Sequence, residues 1–285
     1  MGANLQDHVA FGLVYEVMAA DTLHKIASPL LAIWHLIQFF LWRLGLFASM
    51  STKTAIWVRS DVIDDKTMTV RPTRERRRTR SDAKAGQTIP DIELLFVPAS
   101  FDLKYDPTKA FNSLACIIAQ PFSRGSIELR SADPLAMPVV HHPTLTDERD
   151  YAIVRKAVRF GMRFVEAFRE TEYPFSVAWD SAPGAQPGGP IHDGSWAEPT
   201  DEQIDEFARG RIQAIYHPTS SCHMGDEAKG GVVGQDLRVH GFTNLRVGDA
   251  SVFPRISSSH PMATTLMVAE RCADLIRREW EGKKG

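Results

Sequence analysis

The sequence predicts an α+β fold in which an antiparallel β-sheet is flanked by helices. Two observations lead to this prediction. Short runs rich in β-branched and aromatic residues are bounded by turn signals, and longer segments carry apolar residues at helical spacing. The 285-residue chain is 44% apolar and 24% charged, which is typical of a folded protein with a sizeable core.

Five segments before residue 131 have the character of strands. The most apolar are Val9–Val17 and residues 114–121. The others are residues 52–59, the alternating run that starts at Asp91, and residues 126–130, which follow a turn at residues 123–125. Together they indicate an antiparallel sheet.

The first predicted helix is unusually apolar. It covers about residues 22–46, and residues 30–50 are almost long enough to cross a bilayer. His35, Gln38 and Arg43 interrupt this stretch, and an arginine near the middle of a lipid-facing helix is costly. The sequence therefore favours an amphipathic or buried helix over a transmembrane span.

Three later segments are also predicted to be helices. Residues 146–169 start with Thr146 as the N-cap and acids in the first turn, and they place Ile153, Ala157, Phe160, Phe164 and Phe168 on one face. Residues 200–211 repeat the pattern of a cap followed by acids, and residues 262–277 form an apolar helix. Just before this last helix, residues 245–254 are predicted to be a strand that ends in an acid and small residues.

Composition gives no general attraction to nucleic acid, because the formal net charge is only −2. Six arginines cluster at residues 71–80, without the interleaved aromatic residues or glycines that stack bases and approach a nucleic-acid backbone. We interpret them as part of a polar insertion at about residues 61–88. A second loop is predicted at residues 183–194, which are rich in glycine and proline.

The cysteines and the first residues show no pattern of a disulfide framework, a metal site or a signal peptide. Cys116, Cys222 and Cys272 are too few and too far apart for a disulfide framework or a C-x-x-C site, so no metal is expected. The first residues lack the basic and apolar regions of a signal peptide. The sequence leaves the location of the protein open, with the cytoplasm as the default expectation.

Two histidines in the last third of the chain have similar surroundings. His217 and His260 each precede a proline, and His260 directly precedes the last predicted helix. His217 lies between a predicted helix and a glycine-rich turn, where a fold can present a side chain into a cleft. A single histidine in such a motif is more simply interpreted as a core residue with satisfied hydrogen bonds. Two histidines in similar motifs favour a catalytic function.

These segments resemble the C-terminal signature of the glucose-methanol-choline (GMC) oxidoreductases. The matching motifs are Y-H-P…C-x-M-G at residues 216–225, L-R-V-x-D-A-S-V-x-P at 245–254, H-P at 260–261 and A-E-R-C-A-D-L-I at 269–276. Upstream, N-L-Q-D-H at residues 4–8 and the segment S-R-G…L-x-S-x-D-P at 123–134 fit the family as well. The resemblance covers nearly the whole chain.

The resemblance implies FAD-dependent oxidation of the CH–OH group of a small-molecule alcohol, with a hydride passing to flavin N5 and the hydroxyl proton to a histidine. His217 and His260 would be the catalytic residues, and the sequence does not fix which of them takes the proton. A neutral imidazole accepts a proton near pH 7, and a second imidazole can stabilise the developing alkoxide. Oxidase and dehydrogenase activities are both compatible with these motifs.

The resemblance also implies residues that contact FAD. Asp249 and Ala250 would lie near its ribityl and phosphate region, and His260, Pro261 and Met262 along the edge of its isoalloxazine ring. For Asp249, a structural function as a turn or helix cap is the simpler alternative.

Three positions depart from the family pattern H-P-x-G-T-C-R-M-G, namely Ser220, Ser221 and His223. Ser220 replaces a glycine, which matters if the turn requires a positive φ, and His223 removes the fixed charge of an arginine. His141 and His142 have no partners at metal-ligand spacing and are predicted to be strand or turn residues.

The chain lacks the G-x-G-x-x-G motif of a dinucleotide-binding unit. The expected organisation is a substrate-binding domain at residues 1–215 and a catalytic, FAD-contacting segment at residues 216–285, without the N-terminal Rossmann half. A truncated enzyme, one half of a split enzyme that needs an FAD-binding partner, and a non-catalytic interaction module all stay open. A serine hydrolase is excluded because no G-x-S-x-G elbow is present.

Overall fold

A computed structural model of the protein describes residues 1–48, 52, 54–72, 89–101, 109–171, 173, 178–184 and 195–282. The chain divides into two compact units: unit 1 is Met1–Val9, Ala119–Asp150 and Ala214–Gly285, and unit 2 is Ala10–Ile118 and Tyr151–Gln213. The sequence-based division after residue 215 stays a prediction. Residues 73–88 of the expected polar insertion and residues 185–194 of the expected second loop lie outside the described residues.

Nine strands and four α-helices are present in the described parts of the chain. The strands are β1 (Ala3–Leu5), β2 (Val9–Val17), β3 (Ala55–Val58), β4 (Ile92–Val97), β5 (Ala110–Ile118), β6 (Gly125–Glu128), β7 (Val139–His141), β8 (Ala178–Ser181) and β9 (Gln213–Ala214). The helices are α1 (Pro29–Trp42), α2 (Glu148–Arg169), α3 (Asp201–Arg211) and α4 (Met262–Gly282). The predicted α+β class is confirmed.

Unit 2 is built on a sheet with the strand order β3-β4-β5-β2-β8, and β9 pairs with β2 off this path. The pairs β3·β4, β4·β5 and β2·β8 are antiparallel, as predicted. The strand predicted at residues 126–130 is β6, which belongs instead to a separate sheet of unit 1 with the order β1-β6-β7. No residue of β6 is fully buried, whereas all nine residues of β5 are buried. The single sheet expected from the sequence is therefore two sheets.

Helix α2 crosses the sheet of unit 2 at a glycine. A Cβ atom added at Gly161 would lie 2.8 Å from Leu13 Cδ1 and 3.2 Å from Leu114 Cδ2, so the absence of a side chain permits this close approach. The buried stripe of α2 surrounds Gly161 and includes Val158 and Met162. Phe164, predicted on the buried face, is 37% exposed because that face is centred on the glycine.

The helix starts were predicted with mixed success. Helix α2 begins at Glu148, and Asp147 rather than Thr146 caps it, since Asp147 Oδ1 accepts a hydrogen bond from the backbone N–H of Arg149. Helix α3 has the predicted capping box, in which Thr200 and Gln203 each accept a hydrogen bond from the other's backbone N–H.

Helix α1 is shorter than the predicted segment and has no buried residue. Its apolar side chains surround the helix, and Leu30 and Phe40 are 81% and 69% exposed. The prediction of an amphipathic or buried helix is wrong here, because no polar face separates a buried side from an exposed one. Among the described residues, no helix combines the length and the apolar character needed to cross a membrane.

The C-terminal part of unit 1 is mostly irregular. Its apolar cluster contains Val233, Leu237, Val239, Val252 and Phe253 together with Val268 of α4. The strand predicted at residues 245–254 is reduced to a single bridge between Arg246 and Arg238, followed by a 3₁₀ turn at Ala250–Val252. Asp249 starts this turn by accepting a hydrogen bond from Ser251 N–H, which ends the extended conformation.

Candidate active site

Two backbone bridges position the segment that carries His217. Gln6 and Thr219 exchange backbone hydrogen bonds of 3.0 and 2.8 Å, which ties this segment to residues 4–8. Further along, the N–H groups of residues 220, 222 and 224 donate to the carbonyls of residues 250, 251 and 252. Segments that are far apart in the sequence therefore meet within unit 1.

Ser220 occupies the turn position where the family pattern has glycine. Its φ is +70° and its side chain is fully buried, so the turn does require the left-handed conformation. The sequence-based concern about this position is confirmed. For a non-glycine residue this conformation costs about 1 kcal/mol, which the surrounding hydrogen bonds offset.

The structure brings His217 and His260 together, as the sequence predicted. Their ring centroids are 4.7 Å apart with an interplanar angle of 66°. A third imidazole adjoins them, because His8 Nδ1 lies 3.0 Å from His217 Nδ1. The sequence reasoning did not assign a function to His8, although this residue ends the N-L-Q-D-H motif. The site is a row of three histidines rather than a pair.

His8 is enclosed and anchored. Its exposed fraction is 0%, and its Nε2 lies 3.1 Å from the carbonyl oxygen of Ala119 and 2.9 Å from that of Ser257. Burial, with a further contribution from His217, lowers the pKa of His8 to about 4, although its two carbonyl partners oppose the shift. The ring is therefore neutral at pH 7.

His217 is less enclosed than His8. Burial and then the neighbouring His260 lower the pKa of His217, and Asp7 opposes this shift. Asp7 also holds the backbone, because its Oδ1 accepts a hydrogen bond of 2.8 Å from His217 N–H. The other carboxylate oxygen of Asp7 lies 3.1 Å from Nε2 of His142, which directly follows β7. Asp7 thus connects the His142 side chain to the backbone of His217.

The residues predicted to contact FAD differ in exposure: Asp249, His260 and Met262 are exposed, whereas Ala250 and Pro261 are half-buried. His260 is exposed immediately before α4, and Met262, the first residue of α4, is 74% exposed. Asp249 is exposed and caps the turn at Ala250–Val252, so the structural alternative given for it is satisfied locally. In this cap, Oδ1 of Asp249 accepts the hydrogen bond from Ser251 N–H. The assignment of these residues to FAD stays a prediction.

The arrangement suits proton transfer, because His217 lies between the buried His8 and the exposed His260. Among the residues that the structure describes, no group of three or more His, Cys, Asp or Glu side chains is placed to hold a metal ion.

A family model described as GMC oxidoreductase matches residues 121–269, just over half of the chain. The chain belongs to the GMC oxidoreductase family, and the prediction from its motifs is confirmed. The match includes His217, Asp249 and His260, whereas His8 lies upstream of it.

Individual relatives agree with this membership. Dehydrogenase str4 of Strobilurus tenacellus is 32% identical over 97% of this chain and 45% of its own length. An oxygen-dependent choline dehydrogenase of Vibrio vulnificus is 30% identical over 97% of this chain and 43% of its own length. The chain therefore spans less than half the length of these curated relatives.

The fold has solved counterparts. A structure of formate oxidase from Aspergillus oryzae RIB40, whose description concerns FAD modification, superposes with a TM-score of 0.74 at 23% identity. It covers 99% of this chain and 48% of its own. At this identity the likeness concerns the fold, and it matches the predicted α+β architecture.

Proposed function

We propose that this chain is the catalytic part of an FAD-dependent oxidoreductase that acts on the CH–OH group of a small-molecule alcohol, with His217 and His260 as the acid/base residues. The observation that carries the proposal is the contact between these two rings, 4.7 Å apart, in a member of the GMC oxidoreductase family. Of the two curated relatives, one is named a dehydrogenase and the other an oxygen-dependent choline dehydrogenase.

The residues of this chain would handle the proton. Because burial lowers the pKa of His217, its ring is neutral near pH 7 and can accept the hydroxyl proton of an alcohol. His260 is more exposed and lies beside it, where it can hydrogen-bond the same oxygen and stabilise the developing negative charge. Bound FAD would supply the hydride acceptor.

The exposed residues beside the histidines fit such a cofactor. Tyr216 is 88% exposed and Met262 is 74% exposed, so apolar surface is available for a flat ring next to the acid/base pair. Met262 starts the 21-residue helix α4, and backbone N–H groups at a helix start favour negative charge, as on a reduced flavin. Asp249 and Ala250 are the candidates for contact with the ribityl and phosphate region.

The remainder of the FAD site would come from outside this sequence. The relatives are about twice as long as the part that this chain matches. We propose that the dinucleotide-binding half lies either in the same polypeptide or in a separate partner subunit. A second candidate function, a non-catalytic interaction module, is favoured by the exposed apolar surface of α1, where Leu30 is 81% exposed.

Flavin reduction tests the main proposal. The chain is prepared with the FAD-binding half that completes it, and flavin absorbance is followed without oxygen after addition of choline or benzyl alcohol. We expect bleaching by at least one alcohol, and replacement of His217 by alanine should slow it by about 10²- to 10⁴-fold.

His141→Ala is the matched control, because His141 is an exposed histidine on β7. It should leave the rate of flavin reduction unchanged. The proposal is wrong if His217→Ala and His260→Ala both reduce flavin at the rate of the His141→Ala variant. If the complemented protein binds no FAD, the interaction module becomes the better interpretation.

A further inference from the structure

We propose that His8 is a positioning residue that fixes the tautomer of His217, so that His217 carries its proton on Nδ1 and presents Nε2 as the basic nitrogen. The tautomer follows from the geometry of the described residues alone. The use of Nε2 as a base rests on the proposed function.

The first step concerns the proton on His8. Nε2 of His8 faces the carbonyl oxygens of Ala119 and Ser257 at 3.1 and 2.9 Å. Carbonyl oxygens only accept hydrogen bonds, so Nε2 must carry a hydrogen. The fully buried ring is neutral because a charged imidazolium would lose its hydration. A neutral imidazole with a hydrogen on Nε2 has a lone pair on Nδ1.

The second step transfers this constraint to His217. The two Nδ1 atoms are 3.0 Å apart, which is a hydrogen-bond distance. Since His8 Nδ1 can only accept, His217 Nδ1–H must donate; otherwise two lone pairs would face each other. Neutral His217 then has its lone pair on Nε2, on the side of the ring opposite the bond to His8. This is the less common tautomer of a free histidine, so an external acceptor is needed to enforce it.

The third step concerns the proton after it is transferred. In the proposed reaction, the O–H bond of the alcohol would break and its proton would form a bond to His217 Nε2. The electron pair left on oxygen would form the carbonyl, and bound FAD would supply the acceptor for the hydride that leaves the carbon. His217 is then an imidazolium whose Nδ1–H still donates to His8. Because the buried His8 resists protonation, the proton stays on His217. His8 therefore orients the base without relaying its proton further.

Ring nitrogen NMR tests the assignment directly. Protein labelled with ¹⁵N in its histidine rings is recorded at pH 7.5 in long-range ¹⁵N–¹H correlation spectra, and signals are assigned from single-histidine variants. We expect His8 as the Nε2–H form and His217 as the Nδ1–H form. A wild-type spectrum with His217 protonated on Nε2 would overturn the proposal.

Two substitutions of His8 separate positioning from packing. In His8→Asn the side-chain oxygen can accept from His217 Nδ1–H, so the tautomer of His217 should be kept. In His8→Leu no acceptor remains, so His217 should shift to the Nε2–H form. His141→Leu, at an exposed position of β7, is the control and should leave the tautomer of His217 unchanged. A folded His8→Leu variant that keeps His217 on Nδ1–H contradicts the inference.

Kinetics of the FAD-loaded protein provide a second readout. We expect His8→Leu to lower kcat for alcohol at least about tenfold with little change in KM, since proton transfer and not binding is affected. His8→Asn should restore most of the rate, and failure to restore it despite the Nδ1–H tautomer would contradict a positioning role. If the NMR result holds but the wild-type protein oxidises no alcohol, the proposed function fails while the tautomer assignment stands.

Discussion

The interior beneath the histidines in unit 1 and the interior of the sheet in unit 2 are stabilised in different ways. In unit 1, the buried residues Gln6, Asp7 and His8 are consecutive and polar, and each is held by specific hydrogen bonds. In unit 2, β5 and α2 bury mainly apolar side chains such as Leu114 and Val158. Hydrogen bonds in a polar interior fix the directions of side chains, whereas an apolar interior is stabilised by burial and close packing, which are not directional. The histidines proposed to be catalytic lie in the unit with the polar interior.

Loss of Asp150 should have the largest effect on stability. This carboxylate is 1% exposed and accepts hydrogen bonds from Phe122 N–H, Ser123 N–H and the Ser123 hydroxyl. Asp150→Ala leaves these donors without a partner, so we expect a loss of about 4 kcal/mol in the free energy of unfolding. Urea denaturation measures this change. Asp133→Ala, at an exposed turn, is the control, and equal losses in both variants would show that unit 1 does not depend on its buried polar contacts.

The apolar interior of unit 2 should respond to a loss of volume. Leu114 on β5 is 1% exposed and packs near Gly161 of α2. Leu114→Ala removes buried methyl groups and leaves a cavity, which should cost about 3 kcal/mol in the free energy of unfolding. Leu129→Ala provides the comparison because Leu129 is 89% exposed. If the two leucine variants unfold at the same urea concentration, the buried side chain of Leu114 contributes less to the free energy of unfolding than its burial indicates.

Acid should weaken the polar interior through His8. Its pKa falls from 6.5 in the unfolded chain to about 4 in the fold, so the unfolded state binds the proton more readily. The resulting stability is fully present above about pH 6.5 and is lost as the pH falls toward about 4. Between pH 7.5 and pH 5 the free energy of unfolding should drop by about 2 kcal/mol.

His8→Asn isolates this contribution, because asparagine does not titrate in that range. Urea denaturation of both proteins at the two pH values should show a smaller decrease in the variant, by about the same 2 kcal/mol. An identical pH dependence in both proteins would mean that other groups, such as the carboxylates, cause the effect.

Two elements of unit 2 were predicted closely from the sequence. Val9–Val17 has the observed bounds of β2, and the capping pattern of residues 200–203 correctly predicted the start of α3. Both signals are local, because periodicity and caps depend on neighbouring residues. The prediction of the buried face of α2 was less accurate. The close contact of Gly161 with the sheet determines which face of α2 is buried.

The site shows the opposite limitation. Motif spacing was sufficient to bring His217 and His260 together, but it gave no function to His8, which lies 209 positions from its partner His217. The Nε2 atom of His8 hydrogen-bonds to backbone carbonyls, and a carbonyl has no signature in the sequence. The absence of a strand at residues 245–254 has a similar cause, because the cap at Asp249 competes with the extended conformation.

The smallest predicted effect comes from the start of α3 in unit 2. The Thr200 hydroxyl accepts a hydrogen bond from Gln203 N–H, and both partners are exposed. Thr200→Ala should lower the free energy of unfolding by about 1 kcal/mol, because an N–H at the helix start loses its side-chain acceptor. Thr200→Ser keeps the hydroxyl and should unfold like the wild type in urea. Because this cap is local and open to water, its loss should cost clearly less than that of Asp150, whose donors are buried. If Thr200→Ala is as destabilising as Asp150→Ala, then burial of the polar contacts is not what distinguishes the two units.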